Sequence, residues 1–221
     1  MKLAIFAATG GVGRQLLEQA VAAGHDVTAV ARNPAKVAPD VPVVRADLAE
    51  PDPDVLASAV KGADAVLSGL GPHSRAEAGI AAPGTRSIVG AMKAADVRRI
   101  VVVSAAPAGT VPTPGRPHPP RHDPGDGFFM RHLLGPISKV TLGPVFADLA
   151  EMEDVLRDSG LDWTSVRPPR LTDGPATGAY RTAAGRNLRG GTVVSRADVA
   201  AFMLAVLGRP ETFGQSMGIA N

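Results

Sequence analysis

The sequence predicts an α/β fold, a doubly wound and mostly parallel sheet with helices on both faces. Short apolar runs of strand character alternate with helical patterns along most of the 221 residues. The first run, Leu3–Ala7, passes directly into a glycine turn, Ala7-x-x-Gly10-x-x-Gly13, and then into the apolar pattern of Leu16 to Ala23. Strand, tight turn and helix in that order make a Rossmann-type opening. Backbone N–H groups and a helix N-terminus then converge on one spot, where a pyrophosphate can sit. Ala7 takes the place of the usual first glycine.

The elements follow in order. Strand character is found at Leu3–Ala7, Val27–Ala31, Val41–Val44, Ala65–Leu67, Ile100–Val103 and Trp163–Val166. Helical patterns lie between them at Gly13–Ala23, Val55–Val60, Thr85–Ala95 and Val145–Asp158. In the last, Val145, Leu149, Met152 and Leu156 form an apolar stripe, with Asp148, Glu151, Asp154 and Asp158 expected on the wet side. Ser159-Gly160 is a stop signal. Ser195-Arg-Ala-Asp198 resembles a capping box and opens a helix carrying Val199, Phe202, Met203 and Val206. No internal repeat is present, and residues 1–221 are expected to form a single domain. The segment 106–127 carries seven prolines and is expected to be an extended loop. It leaves a strand at the carboxyl edge of the sheet, where doubly wound folds bind ligands, so it should frame an acceptor site.

Bulk properties exclude several classes. A hydrophobic fraction of 45% and a charged fraction of 20% are ordinary for a globular protein. A net charge of +2 argues against nucleic acid or an anionic membrane as partner. Without cysteine there is no disulfide, thiolate metal site or cysteine nucleophile. His25, His73, His118, His122 and His132 show no metal-ligand spacing, so no metal is expected. The start lacks a basic segment followed by a long apolar one, and a cytoplasmic protein is expected, a monomer or weak homodimer.

Candidate site residues cluster at strand ends. The second strand ends in Ala31-Arg32-Asn33-Pro34-Ala35-Lys36, with two cations and no acid. NAD sites usually carry an acid there for the ribose 2′-hydroxyl, whereas Arg32 and Lys36 suit a 2′-phosphate, so NADP(H) is preferred over NAD(H). The alternative is a pair of solvated loop cations. Asp47, before Leu48, is placed either to accept from an adenine amino group or to form a turn. Leu70 and Gly71 follow the fourth strand, where glycines admit a ligand close to the backbone. Ser104 and Ala105 end the fifth strand, and Pro168-Pro169 make a rigid corner after the sixth. Ser104 is the candidate catalytic residue, though serine is also a common turn former. His73, Arg121 and Arg170 are candidates for the substrate side. A lysine-bearing phosphate loop and a Gly-x-Ser-x-Gly elbow are absent.

Together these residues resemble the atypical short-chain dehydrogenases/reductases with NAD(P)H-binding (NmrA-like) domains, and within them the flavin reductase/biliverdin-IXβ reductase family. The resemblance runs from Lys2 to Leu207. It rests on Ala8-Thr9-Gly10 with Gly13, on Val27 to Arg32, on Leu156-Arg-Asp-Ser-Gly-Leu161, and above all on Arg167-Pro168-Pro169 with Thr177-Gly-Ala-Tyr180. It implies a pyrophosphate on Thr9, Gly10, Gly11, Val12 and Gly13, a 2′-phosphate on Arg32 and Lys36, and adenine against Asp47 and Leu48. The ribose–nicotinamide half would meet Leu70, Gly71, Ser104, Ala105, Pro168 and Pro169. The implied activity is hydride transfer from NADPH to a flavin-like or quinone-like small-molecule acceptor. FMN, FAD or riboflavin would then be a substrate rather than a prosthetic group. Two departures stand out: the positions of the Tyr-x-x-x-Lys pair fall on Val145 and Leu149, and Arg170 replaces a histidine after the Pro-Pro corner. A carbonyl reduction needs a proton donor that two aliphatic residues cannot supply. An NADP(H) sensor of the NmrA kind, and a reductase or epimerase of a sugar-like or natural-product intermediate using Asp148, Tyr180 or His73, are the other readings.

Overall fold

The computed structural model describes residues 1–72, 74–127, 131 and 135–221, with the backbone alone at positions 136 and 139. All six expected strands form, within two residues of their expected limits: β1 (Lys2–Phe6), β2 (Asp26–Ala31), β3 (Val43–Arg45), β4 (Ala65–Ser68), β5 (Arg99–Val103) and β6 (Asp162–Arg167). They pair in parallel in the order β3-β2-β1-β4-β5-β6. The winding therefore reverses between β1 and β4, and a crevice opens there at the carboxyl ends of the strands. Four further strands were not expected from the sequence: β7 (Arg170–Thr172), β8 (Arg181–Ala184), β9 (Val193–Ser195) and β10 (Gln215–Ala220). Of these, β10 extends the main sheet parallel to β6, β8 closes its edge antiparallel, and β7 pairs with β9 separately.

The helices are α1 (Gly11–Ala22), α2 (Pro53–Val60), α3 (Ala81–Ala94), α4 (Gly135–Arg157) and α5 (Arg196–Ala205). Side chains of a strand alternate between faces, and β1 shows the consequence. Leu3 and Ile5 enter the core formed with α1 and α5, beside Leu16, Phe202 and Met203. Ala4 and Phe6 enter the opposite core with α2, α3 and α4, beside Leu56, Ile88, Met92 and Met152. Each large apolar side chain fully buried in this way contributes about 1.5–3 kcal/mol. Among the described residues no helix is long and apolar enough to cross a membrane.

Two expectations need correction. In α4 the stripe Val145, Leu149, Met152 and Leu156 is buried as spaced, but the acids do not all face water. Asp148 is 6% exposed because its carboxylate accepts from the backbone N–H groups of Gly79, Ala81 and Ala82 at 2.8–2.9 Å, capping α3. Glu153, which the wet-side expectation did not include, is wholly buried. The helix also starts ten residues earlier, at Gly135, and bends at Leu142, two residues before the N–H-less Pro144.

The segment 106–127 is not extended throughout. It opens with a 3-10 turn, Ala106–Thr110, and buries Ala106, Ala108, Thr110, Thr113 and Asp123. Gly115 donates its N–H to Asp154 Oδ2 at 3.1 Å, and Asn187 donates to Asp123 Oδ1 at 2.8 Å and to Asp126 Oδ1 at 2.9 Å. Prolines remove donors, and these side chains supply the tethers that a backbone ladder would otherwise give.

Candidate functional site

The glycine turn is built from three touching backbones. Ala7 follows β1 with φ +54°, and its carbonyl accepts from Gly10 N–H at 2.9 Å. Left-handed backbone costs an L-residue about 1–2 kcal/mol, so the turn forms with alanine but under strain. A Cβ on Gly13 would lie 2.0 Å from the Ala7 carbonyl oxygen, and one on Gly69 would lie 2.6 Å from Gly13 N. Gly69 is thus required by the α1 backbone rather than by a ligand. At the start of α1, Gly10 is the N-cap, without a side-chain cap and with no acid in the first turn. Its positive end is therefore not offset by a cap or by an acid of its own first turn.

In front of the turn lies a cavity of about 830 Å³ at the β1/β4 crevice. Of the site residues expected from sequence, Thr9, Gly10, Arg32, Lys36, Asp47, Leu48, Leu70 and Gly71 line it. Asn33 accepts from Ala35 N–H at 3.2 Å and starts the 3-10 turn Pro34–Lys36, which returns Lys36 to the same wall as Arg32. Both cations are exposed to the cavity side. Asp47 is a turn former, accepting from Ala49 N–H at 3.0 Å, and it lines the cavity as well. Leu70 packs so closely on α3 that a Cβ on Gly84 would meet its Cδ2 at 2.6 Å, whereas the space beside Gly71 is open.

Gly11, Val12 and Gly13 are not among the lining residues, and neither are Ser104, Ala105, Pro168 and Pro169, which follow the ends of β5 and β6. Those two ends are tied together: Ser104 N–H donates to Val166 O at 2.7 Å and Ala106 N–H to Pro168 O at 2.9 Å. The Ser104 hydroxyl is buried and makes no hydrogen bond of regular geometry among the described residues. Beside it is an ion pair that sequence reading missed. Glu153 takes two hydrogen bonds from the Arg167 guanidinium and one at 2.8 Å from Ser165 Oγ. Burial alone would raise the Glu153 pKa, but the Arg167 charge and hydrogen bonding from Arg167, Ser165 and Ser104 hold it below the ordinary carboxylate value. Burial likewise opposes the Arg167 charge, and Glu153 with Asp123 outweighs it and raises that pKa. Arg170 and Arg121 are exposed, on β7 and the proline-rich segment, and are not brought together with the cavity. His73 lies outside the described residues.

Val145 and Leu149 are core residues, 7% and 5% exposed. Thr177 and Gly178 are clasped by Asp198, whose carboxylate accepts from both N–H groups, the Thr177 hydroxyl and Ser195 Oγ at 2.8–2.9 Å. Tyr180 packs edge-on against Phe202, with its pKa raised by burial and by Asp198. Asp148 is committed to its cap. Arg167, the last residue of β6 after Val166 and before the Pro168-Pro169 corner, was the available signal that a buried counter-charge must exist.

A family model described as NAD(P)H-binding matches residues 7–210. The chain belongs to this NAD(P)H-binding family. The protein YwnB of Bacillus subtilis (strain 168), itself uncharacterized, is 28% identical over 223 residues, covering 96% of this chain and 94% of that one. Among solved structures, the anaerobilin reductase ChuY from Escherichia coli O157:H7 is 24% identical with a TM-score of 0.76, over 100% of this chain and 97% of that chain. A short-chain dehydrogenase/reductase from Veillonella parvula, in complex with NADP, is 19% identical with a TM-score of 0.76, over 100% and 94% of the two chains. At those identities the two structures establish the fold, which agrees with the atypical short-chain dehydrogenase/reductase resemblance.

Proposed function

We propose that this chain is an NADPH-dependent oxidoreductase that delivers hydride to a flavin-like or quinone-like acceptor, working in the cytoplasm as a monomer or weak homodimer. The observation that carries the reading is that Arg32 and Lys36 both line the cavity from the segment 30–36 at the end of β2, which carries no acid of its own, the lining carboxylates Asp47 and Glu77 coming from other segments. Two cations at that point favour a 2′-phosphate, and a carboxylate would favour the 2′-hydroxyl. The residues fit such a cofactor: the uncapped α1 N-terminus and Thr9 to Gly13 for the pyrophosphate, Asp47 and Leu48 for adenine. Leu70, Gly71, Ser104, Ala105, Pro168 and Pro169 would hold the nicotinamide half.

When bound, NADPH supplies the hydride, and the protein supplies orientation and exclusion of water. The Ser104 hydroxyl, buried beside Glu153, would have to turn toward the cavity to hold a carboxamide or acceptor atom, and the 106–127 segment would frame the acceptor. With Val145 and Leu149 where a Tyr–Lys pair would stand, an acceptor that takes its proton from water, such as FMN, FAD or riboflavin, is favoured over a carbonyl. The sugar-like epimerase reading loses Asp148 to capping, while Tyr180 packs its ring on Phe202 and does not line the cavity, and His73 lies outside the described residues.

Purified protein with excess NADPH should bleach FMN or riboflavin faster than buffer, and NADH should serve far less well. Equal rates with and without protein would refute the enzyme. Arg32→Glu should weaken NADPH binding by about 2 kcal/mol and leave NADH little changed. A sensor without turnover is the second reading, favoured by Ile137, Val140 and Leu142, which are 54%, 79% and 39% exposed near the start of α4. NADPH binding without reduction of any planar acceptor would select it.

A further inference from the structure

We infer that Arg196 is a pyrophosphate-binding side chain, held at the glycine turn by Asp173 and transferred to the NADP(H) pyrophosphate when the dinucleotide binds. The inference rests on the dinucleotide reading of the cavity. Arg196 is the first residue of α5, fixed there by the Ser195 cap, which accepts from Asp198 N–H at 2.9 Å. Its side chain crosses to α1: a Cβ on Gly11 would sit 2.6 Å from Arg196 Nε and 2.7 Å from its Cδ. Glycine at position 11 leaves this space to the Arg196 side chain, one residue along the turn from Gly10, which lines the cavity.

The electrostatics call for an anion. A guanidinium lies against the first residue of a helix that has neither a side-chain cap nor an acid in its first turn, so two positive ends are adjacent. The anion present is Asp173, whose Oδ1 is 2.6 Å from an Arg196 terminal nitrogen. Asp173 is 89% exposed while Arg196 is 28% exposed, and an ion pair with one partner in water holds weakly. A dianionic pyrophosphate on the same turn offers guanidinium a two-pronged contact and satisfies the α1 N–H groups together. Asp173 thus keeps the side chain extended across the turn in the free protein and competes with the ligand for it.

The test is calorimetric titration of the full chain with oxidised NADP and, separately, with 2′-AMP, which lacks the pyrophosphate. Arg196→Met keeps the apolar stem and should raise the NADP Kd ten- to a hundredfold while leaving 2′-AMP unchanged. Gly11→Ala, which displaces the guanidinium by its Cβ, should act in the same direction. Asp173→Asn should tighten NADP two- to fivefold. Arg196→Met binding NADP like wild type, or losing NADP and 2′-AMP in equal measure, would overturn the inference alone. Wild-type protein that binds neither ligand would overturn the cavity reading and this inference together.

Discussion

Glu153→Gln removes a charge without changing the shape of the side chain, and its effect follows from the burial of its partner. Arg167 is 5% exposed and Glu153 wholly buried, so the substitution leaves the Arg167 guanidinium facing an amide, with Asp123 acting only from farther away, and removes the counter-charge 3.8 Å from Arg157 as well. Breaking one side of a buried pair costs about 3–5 kcal/mol. Glutamine retains one acceptor for Arg167 or Ser165, which places the cost near the lower end, about 3 kcal/mol. For a chain of this size each kcal/mol shifts Tm by about 2–4 °C, giving a drop of about 6–12 °C. Urea unfolding, with m unchanged, measures the free energy directly. Glu153→Leu with Arg167→Met exchanges the pair for apolar packing and should lie far above the sum of the two single substitutions. The pH dependence has a definite sign. The folded pKa of Glu153 is depressed below its unfolded value of about 4.3, so the unfolded chain binds the proton more readily. Its stabilisation is complete above that unfolded value and is lost as pH falls through the folded one. The gap between wild type and Glu153→Gln should therefore stay flat from pH 8 to about 5 and close below about 4. A substitution costing under 1 kcal/mol, or a double variant as unstable as the sum of the singles, would refute this account.

Gly13→Ala should destabilise by about 3 kcal/mol, because its Cβ would meet backbone at 2.0 Å rather than a movable side chain, and NADP binding should vanish with it; a variant with wild-type Tm would contradict the packing described. Asp148→Ala should cost about 2 kcal/mol, as the N–H groups of Gly79, Ala81 and Ala82 lose their acceptor. Faster amide exchange confined to those residues would identify the cap as the cause. Ala7→Gly should raise stability by up to about 1 kcal/mol by relieving the positive φ, and a loss would show that the Ala7 methyl packs usefully.

The parallel half of the sheet was legible because its strands are apolar on both faces and its helices keep a 3.6-residue stripe. β1 to β6 and α1 stand within two residues of where periodicity put them, and the Ser195–Asp198 capping box opens α5 as its spacing required. β7 to β9 were not legible, since their sequences are short, arginine-rich or glycine-flanked, and they are held by pairing partners distant in the chain. The cavity residues Thr9, Arg32, Lys36, Asp47 and Leu70 were found because each follows a strand end, where topology alone brings them together. Glu153 was hidden because a helix acid reads as solvated until its partner is known. Arg196 was hidden for a different reason: its neighbour at the turn, Gly11, lies 185 positions away in sequence, and only tertiary packing of α5 on α1 joins them.

The contact of Ala7, Gly13 and Gly69 through their main chains has one more consequence. Because the turn shares its atoms' positions with β1, β4 and α1, it cannot rearrange without disturbing the sheet on which both cores rest. The N–H groups proposed to receive the pyrophosphate are then already ordered by the fold, and ligand binding would have little backbone freedom left to remove there. Affinity at this end of the cavity is set by folding itself.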